Sequence, residues 1–166
     1  MKWINSNGGP LILSSKKSAE LWSGIRGSSI SSNKTDYERA CAVSDYIEVI
    51  QCGDYDLLVL GDEPMQSGFF SNNEIICIAR WVFCESPGVA DVILKKIPNN
   101  LIRLTEDKFI KFPNGDLIIF DSALSFSEIE VSDTKSIDQG IYRVTTELFK
   151  PEKKNSFIIH RLIKVD

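Results

Sequence analysis

One histidine, His160, is the chain's whole supply of imidazole. Its four cysteines, Cys41, Cys52, Cys77 and Cys84, fall 11, 25 and 7 residues apart, so no C-x-x-C pair is present. These scarcities exclude a zinc site of ordinary spacing and leave any cysteine nucleophile without a base placed by a motif. Cys77 and Cys84 lie in an apolar run and read as small buried thiols. No apolar run approaches the roughly 20 residues that a membrane-spanning helix needs. The start, MKWINSNGG, lacks the apolar stretch of a signal peptide, so a cytoplasmic protein with no membrane partner is expected. Gly8-Gly9-Pro10 is a turn and not a phosphate loop, because no Gly-Lys-Ser/Thr follows it. No cofactor, metal ligand set or catalytic residue emerges from this reading.

What is present is a chain of 166 residues, 43% hydrophobic and 25% charged, which fits a single domain over 1–166. That length can bury about 70% of the surface of the unfolded chain. The net charge of −4 conceals a strong segregation. Residues 36–63 carry Asp36, Glu38, Asp45, Glu48, Asp54, Asp56, Asp62 and Glu63 against one cation, Arg39. Residues 106–133 hold seven acids against two lysines. If the two segments meet in space, they make an acidic face that steers cationic partners and repels nucleic acid. The eight acids of the first segment are therefore the candidate partner-binding residues. The plainer alternative is a pair of hairpins with acidic, solvated tips.

Strand signals dominate. PLILS (10–14) is a short apolar run, and DYIEVIQ (45–51) and YDLLVLG (55–61) flank a turn at Cys52-Gly53-Asp54. The second of these, and EIICIARWVFCE (74–85), are apolar on both parities, as strands covered on both faces are. Asn114-Gly115 between FIKF and LIIFD predicts a hairpin. GIYRVTTELF (140–149) alternates, with Tyr142, Val144, Thr146 and Leu148 on one face, and SFIIHRLIKV (156–165) returns after a turn. Ser86-Pro87 opens a helix whose apolar stripe is Val89, Val92, Ile93 and Ile97. A second helix is expected over 18–25, with Leu21, Trp22 and Ile25 inward. The Ser/Gly-rich stretch 24–35 reads as a surface loop. Seven to eight strands and two short helices make an α+β domain with a largely antiparallel sheet.

Asp62 and Glu63 end an apolar strand, where sites often occur. Adjacent residues of an extended chain point to opposite faces, so the two carboxylates should not converge unaided. A metal-dependent hydrolase would need Asp121 to join them. A buried Arg80, flanked by Ile78 and Val82 on its face, needs a carboxylate, and Asp62 or Asp121 is the expected partner in a structural ion pair. Asp121-Ser122 reads as a turn or cap, and His160 as a core histidine between Ile158 and Leu162. Trp3, Trp22 and Trp81 read as core, with an interface anchor the alternative for any one of them.

Five stretches in order, MKWINSNGGPLIL, TDYERACAVSDYIEVI, LVLGDEP, RWVF and IIFDSA, resemble the Immunity protein 21 family over nearly the whole chain. Glu48 departs from the small residue expected there, and 125–139 resembles the family less. The resemblance implies a stoichiometric immunity protein of a bacterial polymorphic toxin system, which binds a cognate secreted toxin domain. A nuclease toxin would be cationic because it must hold phosphates, and an acidic inhibitor would suit it. A general interaction module without a toxin partner is the competing reading.

Overall fold

The computed structural model describes residues 1–61, 63–130 and 134–166. Among them the chain forms two antiparallel sheets packed face to face. The first sheet contains β1 (Leu11–Ser15), β2 (Glu48–Cys52), β3 (Tyr55–Val59), β8 (Gly115–Asp121) and β9 (Thr134–Ile137), in the order β2-β3-β1-β8-β9. The second contains β4 (Ser67–Asn72), β5 (Ile75–Phe83), β6 (Ile102–Arg103), β10 (Gly140–Glu152) and β11 (Asn155–Lys164), in the order β4-β5-β11-β10-β6. A further strand, β7 (Lys108–Phe112), also pairs with β10.

The alternation of side chains across each strand sorts the core into three layers. Leu11, Leu13, Leu58 and Leu117 of the first sheet meet Ile78, Val144 and Leu162 of the second between the sheets. The opposite face of the first sheet, with Ile12, Leu57, Val59 and Phe120, packs under Trp22 and the short helices α1 (Lys16–Ala19) and α2 (Asp36–Cys41). The outer face of the second sheet, with Ala79, Phe157 and Ile159, packs under α3 (Pro87–Leu94). The arrangement is helix, sheet, sheet, helix. It accounts for the strands that are apolar on both parities, since β3 and β5 are covered on both faces.

The α+β, largely antiparallel character is as expected, but several elements differ. The Asn114-Gly115 turn joins no hairpin. It carries the chain from one sheet to the other, β7 pairing with β10 and β8 with β1 and β9. Short-range turn chemistry fixes a reversal of direction, not the strand that fills the place alongside. The helix expected over 18–25 is broken into α1 and a 3-10 turn at Gly24–Arg26. Trp22 is buried, whereas Leu21 and Ile25 are exposed. α3 starts at the expected Ser86 cap and Pro87, but it buries Ala90 and Leu94 and leaves Val92 at the surface. β4, β6, β9 and α2 carry no expectation from the sequence. The 24–35 stretch is tied down by Asp36, whose carboxylate accepts from Ser23 N at 2.7 Å and from Ser29 N and Oγ at 2.8 Å.

Candidate functional site

At one end of the sandwich β5 runs past β4. Its pairing with β4 stops at Arg80, while pairing with β11 continues to Phe83. The end of the second sheet beyond β4, with the exposed Val82, the half-buried Leu148 and the buried Ile158, forms the floor of a cleft of about 520 Å³. Two loops wall it: residues 44–46, which enter β2, and the segment after β3 that contains Gly61, Glu63 and Met65.

Arg80 holds both loops. It is 2% exposed, and its guanidinium donates to the carbonyl of Tyr46 at 3.2 Å and to that of Glu63 at 2.9 Å. Gly61 permits this approach. Its φ is +70°, and a Cβ there would meet Arg80 Nη1 at 2.8 Å and the Tyr46 carbonyl at 2.9 Å. The glycine of LGDEP and the arginine of RWVF are thus one packing unit.

Two carboxylates line the cleft. Glu63 is exposed, and Asp45 lines the wall. Lys108 of β7 bridges to Glu48 at 2.8 Å and reaches Asp45 at 3.9 Å. The hydrogen bond from Glu48, reinforced by the charges of Glu48 and Asp45, holds the Lys108 ammonium above its ordinary range. The 106–133 segment reaches the first acidic segment here through a cation, Lys108 of β7, which offsets the charges of Glu48 and Asp45. Tyr46 and Val82, about 40% exposed, add apolar surface at the mouth.

The eight candidate acids do not form one patch. Asp45 and Glu63 line the cleft, and Glu48 lies beside Asp45 through their shared Lys108. Asp54 and Asp56 lie at the opposite end of the β2–β3 hairpin, where Asp56 accepts from Lys111 N at 3.1 Å. Glu38 closes a capping box with Thr35 at the start of α2. Asp36 is not a surface residue: it is fully buried and salt-bridged to Arg39. Asp62 lies outside the described residues, and with it the expected Asp62–Arg80 pair.

Asp121 is not the partner of Arg80. Its oxygens accept from Asn7 N at 2.7 Å and Ala123 N at 2.9 Å, pinning the loop before β1. Nor does it join Glu63 in a metal cage: no group of three or more metal-binding side chains occurs among the described residues. The Gly-Gly-Pro, DYERAC and FDSA stretches meet at this same junction. Gly9 has no room for a side chain, because a Cβ would lie 2.5 Å from Tyr37 Cε2 and 2.7 Å from Ser122 Oγ. Trp22 Nε1 donates to the Ser122 carbonyl at 3.0 Å. The Gly-Gly-Pro and FDSA stretches are therefore scaffold here, the DYERAC stretch divides between scaffold at Tyr37 and cleft wall at residues 44–46, and LGDEP and RWVF complete the cleft.

The remaining chemical candidates are structural. His160 is fully buried, with Nδ1 3.1 Å from Thr146 Oγ1. Burial, with the positive charge of Arg80, pushes its pKa well below the ordinary histidine range. Cys77 is buried, and its thiol is pushed up to about 11 by desolvation. The apolar cleft lining was missed in the sequence because RWVF reads as wholly buried strand. Only the unequal lengths of β4 and β5 uncover its end.

The family model of Immunity protein 21 matches residues 2–155, ending where β11 begins. No curated protein and no solved structure matches the chain. A match across almost the whole chain leads to one conclusion: the chain belongs to the Immunity protein 21 family, as an immunity protein that neutralises a toxin partner.

Proposed function

We propose that the protein neutralises its cognate toxin domain in the cytoplasm by seating it on the acidic mouth of the cleft between the sheets, so that the toxin's active site is covered. The observation that carries this reading is the division of the sequence stretches. Gly-Gly-Pro and FDSA lock the scaffold against Tyr37 at the Gly9–Tyr37–Ser122 junction, while LGDEP, RWVF and the 44–46 part of the DYERAC stretch supply Gly61, Glu63, Arg80, Val82, Asp45 and Tyr46 to the cleft. A mouth with an apolar floor, an exposed tyrosine and carboxylates suits a protein partner better than a small charged metabolite. The sign of the rim favours a cationic toxin, of which a nuclease is the natural class, because its own substrate is a polyanion. Charge at the rim then accelerates encounter, and the apolar floor slows departure.

The test is co-expression with the toxin domain encoded beside this chain, scored by survival and then by isolation of the complex. Tyr46→Ala and Glu63→Lys should each weaken the complex about tenfold or more and reduce rescue, with melting curves unchanged. Asp54→Lys with Asp56→Lys, at the far end of the hairpin, should leave rescue intact. The reverse pattern would move the contact to the hairpin tip.

A further inference from the structure

The cleft holds apolar surface that the core does not use. Val82 of β5, Leu148 of β10, Ile158 of β11 and Leu104, in the chain between β6 and β7, all line it. None of the four belongs to the three core layers among the described residues. Val82 is 40% exposed, Leu104 and Leu148 are half-buried, and Met65 adds a pliable thioether from one wall.

An apolar hollow in water closes unless something holds it open, because closing removes its lining from water. Here the surround is fixed. Arg80 donates to the Tyr46 carbonyl of one wall and to the Glu63 carbonyl of the other. Leu104 N donates to the Thr146 carbonyl at 3.0 Å, which ties the chain after β6 to β10. The cleft is therefore preformed. Its volume of about 520 Å³ falls among pockets of about 300–1,000 Å³, which bury most of what they hold. A flat partner surface would bridge the mouth and leave the floor without contacts, whereas a projecting side chain fills it.

We propose that the toxin inserts one large apolar side chain into this cleft, as the anchor of the complex. The inference rests on the cleft being the toxin contact and adds how that contact is made. The side chain would lie on Val82, Leu104, Leu148 and Ile158. A carboxylate tip would have to pass Asp45 and Glu63, and a cationic tip would leave its charge on an apolar floor. Ionised carboxylates only accept, so Asp45 and Glu63 suit backbone N–H groups or a flanking cation of the inserted turn. Buried anchors ringed by polar contacts carry most of the energy of such interfaces.

The test measures affinity for the toxin domain encoded beside this chain. Val82→Trp places the protein's own indole over the floor. It should weaken the complex about a hundredfold, with a melting temperature unchanged or raised. Ile141→Trp adds the same ring at the same 40% exposure, outside the cleft, and should leave affinity unchanged. Leu104→Trp fills the cleft from its other side and replaces Val82→Trp if that variant does not fold. In the unmutated complex, nuclear Overhauser contacts should run from toxin protons to the methyl groups of Leu104, Leu148 and Ile158. Tyr46→Ala and Glu63→Lys separate the two readings. If they weaken the complex while the filled variants bind normally, or if no toxin proton reaches those methyls, the toxin sits flat on the mouth. The anchor is then overturned and the cleft contact stands. If neither set of variants alters affinity, the contact lies elsewhere and both fall. A small apolar molecule released from the purified chain on denaturation, detected by mass spectrometry, would assign the cleft to that ligand and also overturn the anchor.

Discussion

Arg161 Nε donates to Glu147 Oε2 at 2.8 Å, and both side chains are nearly sealed from solvent, at 5% and 6% exposure. The pair does more than neutralise itself. Arg161 Nη2 also donates to the Pro98 carbonyl at 2.7 Å, and Thr145 Oγ1 donates to Glu147 Oε1 at 3.0 Å. It thus fastens β10 and β11 to the chain leaving α3. Arg161→Ala should cost about 3 kcal/mol, because it leaves the buried Glu147 carboxylate with only its longer ionic contact, to Arg103 Nε at 3.7 Å. Urea denaturation measures this. Arg161→Met combined with Glu147→Leu should recover much of the loss, since a well-packed apolar pair removes the stranded charge.

Acid should destabilise the protein through His160. Its folded pKa lies well below its unfolded value, so below about pH 6.5 the unfolded chain binds a proton that the folded chain refuses. The contribution is fully present above that pH. It is lost downward toward the folded pKa, with a slope of up to about 1.4 kcal/mol per pH unit. Denaturation midpoints between pH 7 and 5 should show the slope, and His160→Gln should flatten it. As the chain's single histidine, its ring signals are free of overlap in a direct NMR titration.

Asp36→Ala should act on stability and not on partner binding. The carboxylate is buried, and its loss strips an acceptor from Ser23 N, Ser29 N and the Arg39 guanidinium at once. A loss of about 3 kcal/mol is expected. Association with the toxin domain, measured at a temperature where the variant remains folded, should be unchanged.

Glu74→Gly should stabilise. Asn73 and Glu74 form the two-residue turn between β4 and β5, at φ of 49° and 67°. Asparagine tolerates the left-handed region, whereas glutamate is strained there by about 1 kcal/mol or more. Allowing for the greater flexibility of unfolded glycine, a gain of about 0.5 kcal/mol should appear as a small rise in Tm. A lower Tm would mean that the turn does not strain Glu74.

Periodicity made much of the sandwich legible. The inward row Tyr142, Val144 and Thr146 is where alternation puts it, and β3 and β5 are covered on both faces, as their composition requires. The Ser86-Pro87 start of α3 was equally plain, because capping is local chemistry. Pairing was not. Asn114-Gly115 looks like a hairpin since nothing within reach of that turn encodes β1, which lies about a hundred residues earlier and claims β8. The acids illustrate the same limit at the site. Charge density along the chain marked residues 36–63, yet Asp36 is buried, Glu38 caps a helix, and Asp45 and Glu63 share a cleft only because two loops converge.

The crossing of the chain between the sheets has a consequence for when protection begins. β1 to β3 belong to the first sheet, β4 to β7 to the second, β8 and β9 to the first again, and β10 and β11 to the second. β11, after all other strands in chain order, sits between β5 and β10, so the second sheet lacks its middle until residues 155–164 have been made. The cleft floor includes Ile158 of that strand. A chain still emerging from the ribosome therefore has no finished cleft to offer. On the proposed cleft contact, a cell making poison and antidote together is guarded by completed copies already in stock, and not by those under synthesis.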